Sequence, residues 1–331
     1  MGSGGDEFRV ADVKTRIHAG ATMGSATGGY DLQFSAMGTR CRVNFVVPAG
    51  RVRDTAEAVV AWVAGFEAKY SRFLPDSLIS RINAAAGRDW VPLDPEAERL
   101  FALCDQLVFL TRGILDPSAL PVVRLWDWKT GRVPSDAEVE AARDLVGWRQ
   151  VERAPGRLRL ARPGMALDLG GLGKEFAVDQ VIAMLAQLGV PSALVDFGAD
   201  VRVMGPPPDG RAAWFIGLED PRRPGQAWTG LAVRNAAVAS SGDYVRKFEI
   251  AGRRYGHIVD PRTGRPVANG VRAVNVIAPS CTQAGMLSTA VCVLGAVDGL
   301  RLLESTPGIF GAIVTESSTV TTKRFYEHVP T

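Results

Sequence analysis

Residues 168–174 combine residue types that can bind an anion. They read Asp-Leu-Gly-Gly-Leu-Gly-Lys and stand where a predicted strand passes into a predicted helix. Glycines let a backbone approach a ligand closely, a helix N-terminus attracts phosphate, and Lys174 adds a positive charge. The spacing is not that of a P-loop, which requires Gly-Lys-Ser/Thr after its first glycine. The residues alone are therefore compatible with an anion site and with a plain turn.

Two later segments carry hydroxyl, carboxyl and imidazole groups. Residues 240–244, Ser-Ser-Gly-Asp-Tyr, have the composition of turns and of anion cradles. His257 begins the run His-Ile-Val-Asp-Pro-Arg-Thr-Gly, whose second half has the chemistry of a type I turn. An imidazole titrates near neutral pH and can accept a proton from an attacking group. Each segment on its own also fits a structural role, so neither identifies an activity.

The composition is that of a globular protein and excludes several classes. Of the 331 residues, 47% are hydrophobic and 22% are charged, which favours a folded core over disorder. The net charge is +3 and the arginine pairs are short and scattered, so no nucleic-acid partner is expected. No apolar run approaches the roughly 20 residues of a membrane span. With three histidines in the chain, a site built from several His ligands is nearly excluded.

The cysteines and the N-terminal segment lead to two further expectations. Cys41, Cys104, Cys281 and Cys292 fit no zinc spacing, and we expect reduced, mostly buried thiols. Residues 1–30 are rich in Gly and Ser and lack the apolar core of a signal peptide, so we expect a flexible arm and a cytoplasmic protein. Removal of a native leader would leave the same sequence in a periplasmic protein.

The elements that must position these segments follow an α+β order. One strand is predicted over residues 41–47, with Gly38 as a kink or bulge before it, and strands joined by tight turns dominate after residue 193. Because the strands cluster instead of alternating strictly with helices, a doubly wound sheet is not indicated. Apolar residues at helical spacing predict helices over residues 54–70, 94–111, 135–145, 175–189 and 282–294.

The order of these segments resembles the ApbE-type FAD:protein FMN transferase family. The resemblance runs from about residue 34 to about residue 314, nearly the whole chain after the expected arm. The family's Gly-rich segment continues to an Asp, as residues 168–179 do here. The blocks that carry the resemblance are residues 36–39, 71–77 with Asn83, 115–118 with Trp126, 168–179, 195–200, 240–244 and 257–264.

The resemblance implies a fold and a reaction. The fold is an ApbE-like, T-fold-related α+β unit, with mixed and antiparallel sheets packed against helices in two closely packed lobes, here over residues 31–331. The reaction cleaves FAD with Mg²⁺ and attaches FMN through a phosphoester to a Ser or Thr of an acceptor flavoprotein, with release of AMP. The implied partners are therefore FAD, Mg²⁺ and an acceptor flavoprotein.

The resemblance also implies roles for individual residues. His257, Asp243 and Lys174 are implied to be catalytic, with His257 orienting or deprotonating the attacking hydroxyl. Phosphoryl transfer depends mainly on positioning and charge neutralisation, which these groups can provide. Contacts with FAD are implied for Met37, Phe73, Ile114, Leu115, Asp116, Asp168, Lys174, Ser241, Gly242 and Ile258.

The chain departs from the family pattern at the implied metal site. There the family has an Asp followed four residues later by a Thr, together with a backbone carbonyl of the Gly-rich turn. Thr289 and Gly171 match, but Gly285 stands where the Asp is expected. Glu175, where the family usually has Gly, is a candidate substitute ligand, and Asp243 is a second. A surface carboxylate near a helix N-terminus is the simpler interpretation of Glu175.

Loss of the expected Asp leaves an alternative function open. Mg²⁺ prefers oxygen ligands and usually at least one carboxylate, so the substitution by Gly285 predicts weaker metal binding. The alternative is a catalytically weakened flavin-binding protein, a carrier or accessory factor, or an FAD pyrophosphatase.

Overall fold

The computed structural model describes residues 4–126, 131–223, 225–242, 247–250 and 253–330. Its helices are α1 (Gly4–Ala19), α2 (Val52–Tyr70), α3 (Leu78–Ala84), α4 (Pro95–Leu110), α5 (Leu120–Val123), α6 (Asp136–Arg143), α7 (Gly173–Gln187), α8 (Cys281–Leu294) and α9 (Ala296–Ser305). In these described segments, no helix has both the length and the apolar character needed to cross a bilayer.

A large antiparallel sheet organises the fold. It contains nine strands within the described residues, in the order β1-β2-β3-β7-β8-β11-β16-β17-β18, and each neighbouring pair is antiparallel. The α+β prediction is therefore confirmed. The strands are β1 (Thr22–Ala26), β2 (Gly29–Ala36), β3 (Thr39–Phe45), β4 (Val91–Pro92), β5 (Val151–Ala154), β6 (Arg157–Leu160), β7 (Ala193–Phe197), β8 (Asp200–Met204), β9 (Trp214–Glu219), β10 (Ala227–Val233), β11 (Ala237–Gly242), β12 (Lys247–Ile250), β13 (Arg253–Gly256), β14 (Val259–Asp260), β15 (Arg265–Pro266), β16 (Val271–Ala278), β17 (Phe310–Thr315) and β18 (Thr319–Thr321).

The large sheet is covered on both faces. Successive side chains of a strand point to opposite faces, and along β11 Ala237 and Ala239 join the main hydrophobic core while Val238 joins a second cluster. The main core also takes side chains from α2, α7 and α8, and the second includes Trp214 and Phe325. Burial on both faces explains why the central strands read as nearly continuous apolar runs.

The N-terminal segment differs from the expected arm. Residues 1–30 include α1, β1 and the beginning of β2, and β1 pairs with β2. Val13 and Ile17 lie one helical turn apart and are buried in the main core, with Ile17 fully inaccessible. The Gly and Ser content of this segment predicts a flexible arm, whereas its short apolar stripe is enough to pack the helix against the core.

The segment around Gly38 is a hairpin turn and not a strand kink. Ala36 at the end of β2 pairs with Thr39 at the start of β3, which leaves Met37 and Gly38 as the loop. Both have positive φ, 51° and 71°, as a two-residue type I′ turn requires. Type I′ turns usually have Asn, Asp or Gly followed by Gly. Here Gly38 matches the second position, but Met37 does not match the first.

The four cysteines are buried and form no disulfide, as predicted. Burial raises the pKa of Cys41 to about 12 and also raises the pKa of Cys104 and Cys281 above the ordinary thiol value. A reactive thiolate is therefore disfavoured at these three positions.

Asp179 joins α7 to the start of α8. Its buried carboxylate accepts hydrogen bonds from the backbone N–H groups of Cys281 (2.8 Å) and Thr282 (2.9 Å), the first residues of α8. It also forms an ion pair with Arg202 of β8 at 2.7 Å. One side chain thus fixes the relative position of two helices and a strand.

We expect Asp179→Ala to lower the free energy of unfolding by about 3 kcal/mol, because it leaves buried N–H groups and a half-buried guanidinium without their acceptor. Urea unfolding measures this change. The matched control is Asp298→Ala, which removes an exposed carboxylate paired with Arg301 and should cost no more than about 1 kcal/mol. Equal losses in the two variants would contradict this role for Asp179.

Candidate functional site

Asp168 shapes the Gly-rich turn that leads into α7. Its Oδ1 accepts a hydrogen bond from the N–H of Gly170 at 3.0 Å, and its Oδ2 lies 2.9 Å from Nε of Arg72. Leu169 then accepts hydrogen bonds from the N–H groups of the next turn, and α7 begins at Gly173. Leu172, at the N-cap position, supplies no side-chain cap. The N–H of Gly173 donates to the carbonyl of Leu169 at 2.6 Å, and the N–H groups of Lys174 and Glu175 receive no side-chain cap from Leu172.

The loop after α4 lies directly beside this turn. The carbonyl of Pro117 accepts a hydrogen bond from the N–H of Asp168 at 2.8 Å, and Ala119 forms a parallel bridge with Ala166. Within the described part of the chain, this bridge is the only β pairing of the predicted strand over residues 166–169. A Cβ on Gly171 would lie 4.0 Å from the side chain of Leu115. Two segments that are about 50 residues apart in sequence are thus brought together, as the resemblance implies.

Asp116 holds that loop in place. Its Oδ1 accepts hydrogen bonds from the N–H (2.8 Å) and the hydroxyl (2.6 Å) of Ser118, and its Oδ2 accepts one from the N–H of Trp148 at 3.0 Å. Ile114, just before it, is buried. The carboxylate of Asp116 is therefore engaged in positioning the loop, and contacts of Ile114 and Asp116 with a cofactor stay predictions.

Arg72 connects an exposed aromatic ring to the Gly-rich turn. Its guanidinium lies 4.1 Å from the ring centroid of Phe73, and the same side chain is paired with Asp168. The ring of Phe73 is 76% exposed, which is unusual for a large apolar side chain. Arg72 was not assigned a role from the sequence. Its position next to Phe73 within a motif of the family was the available indication.

Asn83 fixes the strand-like segment that precedes Asp168. Its side-chain amide donates to the carbonyl of Leu167 at 3.0 Å and its Oδ1 accepts from the N–H of Leu167 at 2.6 Å. This pair of hydrogen bonds satisfies both backbone groups of one residue. It explains why the motif over residues 71–77 includes an Asn several residues later.

Lys174 and Glu175 form a charge cluster with Asp200. Nζ of Lys174 lies 2.5 Å from Oδ2 of Asp200 and 3.7 Å from Oε1 of Glu175. Burial, together with the nearby Glu175 carboxylate, raises the pKa of Asp200 to about 7, although Lys174 acts in the opposite direction. Burial lowers the pKa of Lys174, but the Glu175 and Asp200 carboxylates outweigh it and raise that pKa above its ordinary value. The cluster therefore holds two carboxylates against one ammonium group.

The β2–β3 hairpin adjoins this cluster. A Cβ on Gly198 would collide with the side chain of Thr39, so the hairpin and the turn before Asp200 are in close contact. The backbone N–H of Met37 donates a hydrogen bond to Oε2 of Glu67 at 2.9 Å, and the Met37 side chain packs partly buried against the main core. Met37 thus lies on an element that reaches the turn before Asp200, and its contact with FAD stays a prediction.

Hydroxyl groups line the contact between β11 and α8. Oγ of Ser241 lies 2.7 Å from Oγ of Ser288 and 3.0 Å from Oγ1 of Thr289. Gly242 is the last residue of β11. The structure therefore brings Ser241 and Thr289 together, although they are 48 residues apart in sequence.

His257 and Asp243 complete the set of predicted residues. Asp243 lies outside the described residues. His257 is exposed between β13 and β14, and the adjacent Ile258 packs against the main core. The turn over residues 260–264 forms as predicted, with N–H groups of Thr263 and Gly264 donating to the carbonyl of Asp260. The catalytic role of His257 stays a prediction.

The described residues contain no cluster of three or more His, Cys, Asp or Glu side chains arranged to hold a metal ion. They do contain one buried carboxylate, Glu175, whose Oε2 has no hydrogen-bond partner among them. A Cβ on Gly285 would overlap Cγ of Glu175 and lie 3.1 Å from its Oε1. An unpartnered carboxylate oxygen beside helix α8 fits Mg²⁺, which proteins often bind through one or two carboxylates together with substrate phosphates.

Comparisons with known proteins assign the chain to one protein family. The ApbE family model matches residues 37–314, and the chain belongs to the ApbE family. A relative named FAD:protein FMN transferase, from Treponema pallidum, is 34% identical over 295 residues, which cover 82% of this chain and 81% of the relative.

Two solved structures share the fold. The ApbE protein of Thermotoga maritima superposes with a TM-score of 0.83 at 32% identity, covering 92% of this chain and all of that one. The flavinyl transferase ApbE of Pseudomonas stutzeri, in its apo form, gives a TM-score of 0.80 at 31% identity, covering 93% and 97% of the two chains.

We expect Lys174→Met to lower the free energy of unfolding by about 3 kcal/mol at pH 8, because two buried carboxylates lose their counter-charge. The pKa of Asp200 is raised from 3.8 to about 7 in the folded protein. Its ionised form therefore opposes folding, and this cost develops as pH rises through 7. The loss in Lys174→Met should thus be smaller at pH 5, where Asp200 is protonated.

Urea unfolding at the two pH values measures this difference. The double variant Lys174→Met/Asp200→Asn serves as the control, because it removes one charge of each sign and should recover much of the stability at pH 8. A loss that is the same at pH 5 and pH 8 would show that the ammonium does not balance these carboxylates.

Proposed function

We propose that the protein is an FAD:protein FMN transferase. It cleaves the pyrophosphate of FAD and attaches FMN to a Ser or Thr hydroxyl of an acceptor flavoprotein, and AMP leaves. The observation that carries this proposal is the contact between the loop at Leu115 and the Gly-rich turn that begins at Asp168. Beside this contact lies the start of α7, which has no side-chain cap and carries Lys174 in its first turn. Membership of the ApbE family, in which relatives carry this name, supports it.

The uncapped start of α7 is suited to the diphosphate. Backbone N–H groups at a helix start point at an anion, and the helix dipole favours negative charge there. Glycines at 170, 171 and 173 keep side chains from blocking the approach. Lys174 adds a charge from the first turn, shared with Asp200. These groups would bind the diphosphate in the ground state and hold it in line for displacement.

The flanking residues are suited to the flavin and the nucleotide. The exposed ring of Phe73, already stacked on Arg72, offers a flat apolar surface, and aromatic rings pack against such surfaces in offset arrangements. Leu115 lies beside the Gly-rich turn. Met37, Ile114, Asp116 and Ile258 extend this surface in our proposal. Asp168, at the edge of the turn, is placed to accept hydrogen bonds from ribose hydroxyls.

Transfer needs an activated hydroxyl and charge neutralisation. In the proposed step, the acceptor oxygen bonds to the FMN phosphorus, the bond from that phosphorus to the bridging oxygen breaks, and AMP takes the electron pair. In this proposal His257 accepts the hydroxyl proton and Ser241 and Gly242 contact the phosphates, while the expected catalytic role of Asp243 falls on a residue outside the described ranges. Mg²⁺, when bound, neutralises charge on the diphosphate. Thr289, the carbonyl of Gly171 and a carboxylate of this chain would hold it.

The reaction itself tests the proposal. With FAD, Mg²⁺ and an acceptor flavoprotein that ApbE-family transferases modify, we expect equal amounts of AMP and of protein-linked FMN, and none of either after chelation of the metal. Chromatography measures AMP and in-gel flavin fluorescence measures linked FMN. AMP without linked FMN would identify a pyrophosphatase instead. Neither product, with FAD still bound, would identify a flavin-binding accessory protein.

A second prediction concerns His257. If its imidazole accepts the hydroxyl proton, His257→Ala should lower the transfer rate by about 10²–10⁴-fold and leave FAD affinity unchanged, since the base contacts the acceptor and not the bound nucleotide. Single-turnover transfer and flavin fluorescence titration separate the two effects. The control is His328→Ala, at the far end of the chain. A matching loss of FAD affinity in His257→Ala would assign His257 to binding.

A further inference from the structure

Glu175 occupies the space that a side chain at position 285 would need. A Cβ built on Gly285 would overlap Cγ of Glu175 and lie 3.1 Å from both its Cδ and its Oε1. Gly285 is in the second turn of α8, and Glu175 is in the first turn of α7. The two positions are therefore complementary in volume, a glycine on one helix and a long acid on the other.

Burial of Glu175 argues against the surface role that the sequence analysis left open. The residue is 6% exposed, and its Oε2 has no hydrogen-bond partner among the described residues. A buried carboxylate oxygen without a hydrogen-bond donor is costly, and proteins usually pair such an oxygen with a cation or with a donor. The position thus retains an acid at a cost to stability, which points to a ligand.

Lys174 does not fully compensate this carboxylate. Its Nζ is 3.7 Å from Oε1 of Glu175 but 2.5 Å from Oδ2 of Asp200, so its charge is directed mainly at Asp200. When Asp200 is ionised, Lys174 and the two carboxylates near it carry two negative charges and one positive charge. Electrostatics alone therefore favours a cation on the Glu175 side of the cluster.

Oxygen atoms of α8 and β11 lie near the face of α8 that carries Gly285. Thr289 follows Gly285 by one helical turn and so lies on the same face of α8. Its Oγ1 is 3.0 Å from Oγ of Ser241, and Ser288 donates a hydrogen bond to the carbonyl of Gly285 at 3.0 Å. Carboxylate, hydroxyl and carbonyl oxygens are the donors that Mg²⁺ prefers.

We propose that Glu175 supplies the carboxylate ligand of the Mg²⁺ ion from α7, in the space that Gly285 leaves open on α8. The inference rests on the proposed function, in which FAD phosphates complete the coordination. Glycine at 285 is then required, because a larger residue would displace the Glu175 side chain. The acid and the glycine form one unit, and neither can be replaced alone without loss.

Metal binding, and not turnover, tests the proposal. Mn²⁺ is the probe, and its free concentration is followed by electron paramagnetic resonance with the full-length protein, saturating FAD and no acceptor. Chromatography at the end of each titration checks that FAD is intact. Fluorescence titration without metal gives the FAD affinity separately, and thermal unfolding checks that each variant is folded.

Removal of the acid at position 175 should weaken Mn²⁺ binding, and an acid placed at position 285 instead should restore it. Glu175→Gln keeps the size of the side chain and removes its charge, and we expect at least about tenfold weaker Mn²⁺ binding, with metal-free FAD binding retained. The double variant Glu175→Gly/Gly285→Asp moves the carboxylate to α8 and should bind Mn²⁺ far more tightly than Glu175→Gly alone. Glu152→Gln, which removes an exposed acid paired with Arg159 on a separate small sheet, is the matched control and should leave the affinity unchanged.

The outcomes separate this inference from the proposed function. Unchanged Mn²⁺ affinity in Glu175→Gln, or a double variant no better than Glu175→Gly, overturns the role of Glu175 while FAD binding by the unmodified protein leaves the proposed function standing. Failure of the unmodified protein to bind FAD overturns the proposed function. If Glu175→Gln does not fold, the comparison of the double variant with Glu175→Gly decides the matter, because both lack the buried acid at 175.

Discussion

One lysine shared between two buried carboxylates is the constraint on which the site depends. Lys174 contacts Asp200 and lies near Glu175, so α7, β8 and, through Gly285, α8 must keep fixed positions. Low dielectric strengthens each of these interactions and makes each unpaired charge costly. The Gly-rich turn is held in place by the same interactions, because it ends at the residue that precedes Lys174. Charge, and not only apolar packing, therefore positions the start of α7.

The surrounding hydrogen bonds serve the same end. Asp168 fixes the turn, Asn83 fixes the segment before it, and Asp179 ties α7 to the start of α8. Asn83 and Asp179 accept hydrogen bonds from backbone N–H groups that would otherwise be buried without acceptors, and Asp168 accepts one from the exposed N–H of Gly170. A loop rich in glycine would be mobile without such support. The polar residues of the family motifs thus act largely by holding backbone, which leaves Lys174 and the helix start to contact a ligand.

The sequence predicted the local structure better than the contacts between elements. The helix predicted over residues 135–145 is present as α6, and a capping box formed by Ser135 and Glu138 begins it, because both halves of that signal lie within one helical turn. The helix over residues 4–19 was missed, since its apolar stripe is short and its beginning contains glycines. The burial of Glu175 was also missed. It depends on the absence of a side chain at Gly285, which is 110 residues away, and no local pattern contains that information.

In our proposal, the pairing of Glu175 with Gly285 lets a metal site keep its chemistry although one ligand position is lost. What Mg²⁺ requires is an oxygen of negative charge at a given point, and the backbone that supplies it is immaterial. A carboxylate could reach that point from position 175 on α7 or from position 285 on α8. The space between the two helices has room for only one of these side chains. A glycine on α8 therefore demands a long acid on α7, just as an acid on α8 would demand a glycine on α7. Steric exclusion thus couples the two positions, and the metal's need for charge decides that one of them is acidic.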